Sequence, residues 1–202
     1  MEIKIENKIP DIKVEMSQSA DGSYSIKLFQ TKGKVLGDVK VGDTVTIGER
    51  EYIVLDHGAE TTAVIAKKPA KTMVFGKDGD YTKSKVRAYC NGDFYNELCK
   101  AVGEYNIIPH TVNLVSDDGS NKDASIINKV SILTNDLYRR YREFLSAIGS
   151  SCWTATRVTT FDKNYARYVC CVGSDGVLDW CDCAVFNGVR PFCILNSSIL
   201  VF

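Results

Sequence analysis

The chain has 202 residues, 45% of them hydrophobic and 25% charged, with 25 Lys+Arg against 25 Asp+Glu. That length can bury a core without disulfides or metals, and the zero net charge lacks the basic excess of nucleic-acid and membrane-surface binders. No apolar run approaches the roughly 18 residues needed to span a bilayer, and the alternating start Met1-Glu2-Ile3-Lys4-Ile5-Glu6 does not read as a signal peptide.

Residues 1–30 read as an N-terminal β arm. Ile3 and Ile5, then Ile12, Val14 and Met16, alternate with polar residues, and Tyr24, Ile26 and Leu28 follow a turn at Ala20-Asp21-Gly22. From residue 31 to 202 a single larger domain is expected. It opens on a meander: 35–48, 51–56 and 62–66 are short β-branched runs separated by Gly/Asp turns. Ser84 is placed to cap a helix over 85–100, with Val86, Tyr89, Cys90, Phe94 and Leu98 on one face and Gly92 as a candidate break. Asn135 or Thr134 is placed to cap a second helix over 136–148 that Gly149 ends. Between them, 107–128 reads as a long segment with a loop at 116–121. After Gly149 the chain returns to short strands at 153–158, 168–172, 177–178 and 192–201. Strands, two helices, then more strands define an α+β protein with a loop-rich C-terminal half.

The C-terminal residues carry a compositional anomaly. Residues 164–202 contain no Lys, Glu, Gln or Met, whereas the first 163 residues hold 17 Lys, 9 Glu, 2 Gln and 3 Met. At that rate the last segment would carry about seven. A strand-rich core disfavours long charged side chains and accounts for part of the deficit. It accounts less well for the turn-rich stretch 179–187. A codon argument covers the whole set. Adenine mutagenesis of the first two positions of an Asn codon gives products that include Asn, Asp, Cys, Phe, Gly, Val, Tyr, Ser and Arg, and never Lys, Glu, Gln or Met. Trp180 lies outside that set, so its position is either fixed or templated by another codon.

Trp153-Thr154, Tyr168-Val169, the turn Gly173-Ser174-Asp175-Gly176-Val177-Leu178 and the stretch Gly188-Val189-Arg190-Pro191-Phe192-Cys193-Ile194-Leu195 together resemble a bacterial and phage domain of unknown function. That domain is related to the C-type-lectin-like and formylglycine-generating-enzyme fold. The resemblance extends over roughly residues 35–202 through Val41-Gly42-Asp43-Thr44-Val45-Thr46-Ile47-Gly48, Tyr52-Ile53-Val54-Leu55-Asp56, Val86-Arg87 and Phe94-Tyr95. The family includes variable proteins of diversity-generating retroelements, in which a reverse transcriptase rewrites the 3′ end of the gene by adenine mutagenesis. The resemblance implies a C-type-lectin-like fold with a variable region at about 150–195. It also implies binding without catalysis to a protein or cell-surface ligand, by a protein displayed on a virion or cell surface. Under it, Trp153, Tyr168, Val189 and Leu195 pack the frame with Gly188. Arg190 pairs with buried carbonyls or a carboxylate, and Pro191 sets up the last strand. Cys171, Gly173, Asp179, Trp180, Cys181, Asp182, Cys183, Val185, Phe186 and Asn187 stand on the ligand-binding surface, with Asp162, Asn164 and Tyr165 as weaker candidates. The alternative within the same fold is an undiversified structural or surface-display module.

Other chemistries are poorly served. The Cys170-Cys171 and Cys181-x-Cys183 spacings do not match the paired thiols of structural zinc, because neighbouring strand residues diverge. Neither a calcium loop nor lectin Glu-Pro-Asn and Trp-Asn-Asp signatures are present, and the Gly-Gly-Ser-Trp stretch of the copper-dependent oxidases is missing. No metal or cofactor is expected. Cys–His catalysis requires an adjacent base, and the two histidines, His57 and His110, read as turn and packing residues. No Walker loop or dinucleotide fingerprint occurs. Without an export signal, the eight cysteines are expected as reduced thiols.

Overall fold

A computed structural model describes residues 12–19, 21–30, 33–121, 124–145 and 149–202. Strands β1 (Ile12–Gln18) and β2 (Tyr24–Gln30) form an antiparallel hairpin that is a two-stranded sheet of its own. Residues 1–11, which include the first expected strand, lie outside the described residues. After β3 (Lys34–Val35), the expected meander is present as β4 (Thr44–Ile47), β5 (Arg50–His57) and β6 (Thr61–Ala66), followed by β7 (Lys71–Val74).

The Ser84 hydroxyl caps the first helix by accepting from Arg87 N at 3.0 Å. The helix runs as α1 (Lys85–Tyr89), a π-helical turn (Cys90–Phe94) and α2 (Tyr95–Val102). Gly92 therefore does not break it. The π turn absorbs one extra residue and keeps Val86, Cys90, Phe94 and Leu98 buried on one side. The next segment forms β8 (Ile107–Ile108), β9 (His110–Asn113), β10 (Ser125–Asn128) and β11 (Val130–Ser131), with the expected loop at 116–121 between β9 and β10. The second helix, α3 (Asn135–Arg140), starts under a Thr134 cap and is shorter than expected. Tyr141 leaves helical geometry with φ −103° and ψ 14°, its hydroxyl reaching Asp56 at 3.1 Å, and a 3-10 turn (Arg142–Phe144) follows. Residues 146–148 of the expected helix lie outside the described residues.

The chain ends in β12 (Cys152–Arg157), β13 (Tyr168–Val172), β14 (Leu178–Asp182), β15 (Phe186–Val189), β16 (Phe192–Asn196) and β17 (Leu200–Val201). Two main sheets result. The six-stranded sheet runs β11-β16-β6-β5-β4, with β8 also paired to β16, and the five-stranded sheet runs β14-β13-β12-β15-β7. β17 returns to pair with β3, joining the two ends of the larger domain. The fold is α+β.

The six-stranded sheet is buried on both faces, which explains the unbroken run Tyr52-Ile53-Val54-Leu55. Strand alternation sends Tyr52, Val54, Val64, Ala66, Cys193 and Leu195 into the main core with Phe75, Phe94 and Trp153. It sends Ile53, Leu55, Ala63, Ile65 and Phe192 into a second core under α3, with Leu133, Tyr138, Tyr141 and Leu145. No helix among the described residues is long and apolar enough to cross a membrane.

Candidate ligand-binding surface

The expected surface is built on β13, β14 and the start of β15. β14 is an edge of the five-stranded sheet, paired on one side to β13 with Val169 opposite Cys181, Cys170 opposite Trp180 and Cys171 opposite Asp179. The turn between them closes through Gly173 N to Val177 O at 2.7 Å, and Gly176 takes φ +81°, which a side chain would strain. The Tyr138 hydroxyl donates to Gly176 O at 2.6 Å and ties this turn to α3.

Aromatic side chains gather on the outer face. Trp180 meets Tyr168 edge-on, with ring centroids 4.8 Å apart at 87°, and Tyr165 lies 6.4 Å from Trp180 and 5.8 Å from Tyr168. Trp180 is 52% exposed and Phe186 71%, with Tyr165 and Val185 also open to solvent. Edge-to-face packing holds the indole in place while leaving much of its area available to a partner. Arg167 and Asp182 form a two-point ion pair beside it, Nε to Oδ2 at 2.7 Å and a terminal nitrogen to Oδ1 at 2.9 Å. The Ala184 backbone N–H, assisted by Arg167, holds the Asp182 carboxyl below the usual carboxylate range.

The expected surface residues divide by strand position, those at the edge being open and those on inner strands mostly covered. Asp179, Trp180, Val185 and Phe186 are exposed, as are Asp162, Asn164 and Tyr165, and Gly173, Cys181 and Asp182 are half-buried. Cys171, Cys183 and Asn187 are not on the surface: they are 1%, 1% and 7% exposed. Cys171 and Cys183 join the main core with Val169 because that face of the sheet points inward. Burial, and then Cys181 beside it, push the Cys171 thiol up, and burial pushes Cys170 up to about 12. Both stay protonated at neutral pH and are poor nucleophiles.

The frame residues also need one correction. Trp153 is buried, packs edge-on against Phe75 at 5.3 Å and donates its indole N–H to Met73 O at 2.9 Å. Val189 and Leu195 are fully buried. Gly188 admits no side chain, since a Cβ there would lie 2.9 Å from Pro69 and 3.0 Å from the Cys152 sulfur. Arg190 is buried and donates from Nε to Ala66 O at 2.9 Å, the carbonyl partner the sequence called for, and Pro191 O accepts from Ala66 N at the start of β16. Tyr168, however, is half-buried and belongs to the outer aromatic group instead of the core.

Sequence reasoning missed two exposed apolar residues, Val177 in the turn before β14 at 58% exposure and Phe161 at 83%. Their position among Ser, Thr, Asp and Gly was the available signal. Each histidine is engaged by hydroxyl or backbone partners. His57 bridges Thr62 Oγ1 at 2.9 Å and Val39 O at 2.8 Å, and His110 meets Ser131 Oγ at 2.8 Å and the edge of Phe192. Burial lowers His110 to about 4. Among the described residues no three His, Cys, Asp or Glu side chains gather to hold a metal ion. Comparison with protein-family models, curated proteins and solved structures finds no match to this chain.

Proposed function

We propose that this chain is a ligand-binding protein of C-type-lectin-like fold, without catalytic activity, whose β14–β15 face is diversified by retroelement adenine mutagenesis. One coincidence carries the reading. The stretch that lacks Lys, Glu, Gln and Met also carries the exposed Phe186 and the exposed Trp180, which packs against Tyr165 and Tyr168. Aromatic side chains on a rigid strand supply large contact area at low entropic cost, which is what dominates binding hot spots. Trp153, Gly188, Val189 and Arg190 are buried beside this face, so the frame and the face are separable. The partner is a protein or cell-surface ligand.

The burial of Cys171, Cys183 and Asn187 favours a second reading at those positions. There, the composition follows from strand packing, as in an undiversified structural module of the same fold. The neighbouring DNA distinguishes the two. A diversified gene is expected beside a reverse-transcriptase gene and a near-copy of the segment coding for residues about 150–195 that differs from it only at adenines. A locus with neither leaves the undiversified module standing and removes the diversified one.

A further inference from the structure

Arg190 is 8% exposed, and among the described residues no carboxylate pairs with it. Its Nε is satisfied by Ala66 O, but a terminal nitrogen is buried with no hydrogen-bond partner. The ionisable groups that face it are the Cys152 thiol and the Tyr138 hydroxyl. Burial pushes Cys152 up to about 11, even with Arg190 pulling it back, so it is a neutral thiol at ordinary pH. Burial likewise raises Tyr138, whose hydroxyl is already donated to Gly176 O. A guanidinium does not shed its proton in a protein, and an unpaired charge withdrawn from water is strongly unfavourable.

Arg190 borders a cavity of about 30 Å³ whose wall is mainly apolar, with Ile65, Leu133, Trp153 and Val172, and also includes Ser150, Cys152 and Thr154. A single water needs roughly 10–15 Å³ measured in this way, so the space admits one halide ion or one carboxylate head. We propose that this cavity binds a small monovalent anion, a halide or the carboxylate of a short aliphatic acid, held by the Arg190 guanidinium. The apolar walls favour weakly hydrated anions over fluoride or sulfate, because the anion leaves most of its water outside. The cavity is also bordered by Gly173, in the turn that Tyr138 pins. The bound anion therefore braces the turn at the base of the aromatic face. This site stands or falls independently of the proposed ligand-binding role.

Crystals of the unaltered protein soaked in sodium bromide are expected to show a bromine anomalous peak at hydrogen-bonding distance from the Arg190 guanidinium. A sodium formate soak is expected to replace it with planar density if a carboxylate fits, and to leave bromide in place if only a halide does. In solution, the protein is expected to broaden the chloride-35 NMR line, with bromide relieving the broadening. Arg190→Met is expected to weaken that effect about tenfold or more, since one charge-assisted hydrogen bond is worth that much. A cavity holding only water in the bromide crystal overturns the proposal, as does equal broadening by Arg190→Met. If that variant does not fold, the bromide crystal alone decides.

Discussion

The two strands that meet at the Cys171–Asp179 pair show how differently neighbouring positions are constrained. Cys171 on β13 is 1% exposed and packs with Val169 and Cys183, whereas Asp179, directly opposite on the edge strand β14, faces solvent. An inner strand is covered on both faces, while an edge strand is covered on one side of the ladder and open on the other. A one-strand step therefore separates a position that holds the core from one free to vary. A different contrast runs along the inner strand β15, whose first residue, Phe186, is 71% exposed while Val189, three residues on, is fully buried.

The largest effect is expected from the frame. Trp153→Ala removes a buried ring and leaves Met73 O unpaired, and is expected to cost about 3–5 kcal/mol in urea unfolding. A cost under about 1 kcal/mol would show that Trp153 does not hold the sheets together. Within the cross-strand pair, Cys171→Asp introduces an unpaired carboxylate into the core and is expected to cost about 3 kcal/mol or more, whereas Asp179→Cys should stay within about 0.5 kcal/mol. Equal costs would erase the distinction between inner and edge strand.

Acid should expose the core from another side. His110 is lowered to about 4 by burial, while the unfolded chain titrates near 6.5. Between those values the unfolded state binds more protons, so stability is full above about pH 6.5, falls as pH drops toward 4 and levels off below it. The His110 share is at most about 3 kcal/mol. His110→Gln is expected to flatten that part of the pH profile of the unfolding midpoint, and an unchanged slope would mean that His110 is not the group responsible.

The exposed face as a whole is expected to carry little stability. Replacing Asp179, Trp180, Val185 and Phe186 together with Ser is expected to cost about 1 kcal/mol and move the melting temperature by a few degrees. Loss of folding in this variant would place part of the core on the outer face.

Much of the architecture was legible. Gly and Asp turns punctuate the 34–66 meander, Ser84 announces the first helix, and Arg190 called for a buried carbonyl and found Ala66 O. What was not legible has physical reasons. β9 and β10 are four residues each and leave Ile127 71% exposed, so their periodicity is faint. In β13 the buried run Val169-Cys170-Cys171 gives no alternation from which to tell inner from outer face, and Cys171 was assigned outward. Tyr168, which the resemblance assigns to the frame, closes its ring on Trp180 across the edge pair instead. The cavity beside Arg190 depends on side chains from β6, α3, β12 and β13, which no local pattern brings together.

The most direct test of the separation between frame and face is a stability-sorted library. Codons restricted to products of adenine mutagenesis at Asn are placed in one set at 179, 180, 185 and 186, and in another at 171, 183 and 187. The folded fraction is then sequenced. The first set is expected to return nearly every encoded residue, including Asp and Arg. The second is expected to lose the charged residues and keep small or polar-neutral ones. Free variation at 171, 183 and 187 together with strict selection at 179, 180, 185 and 186 would contradict the account.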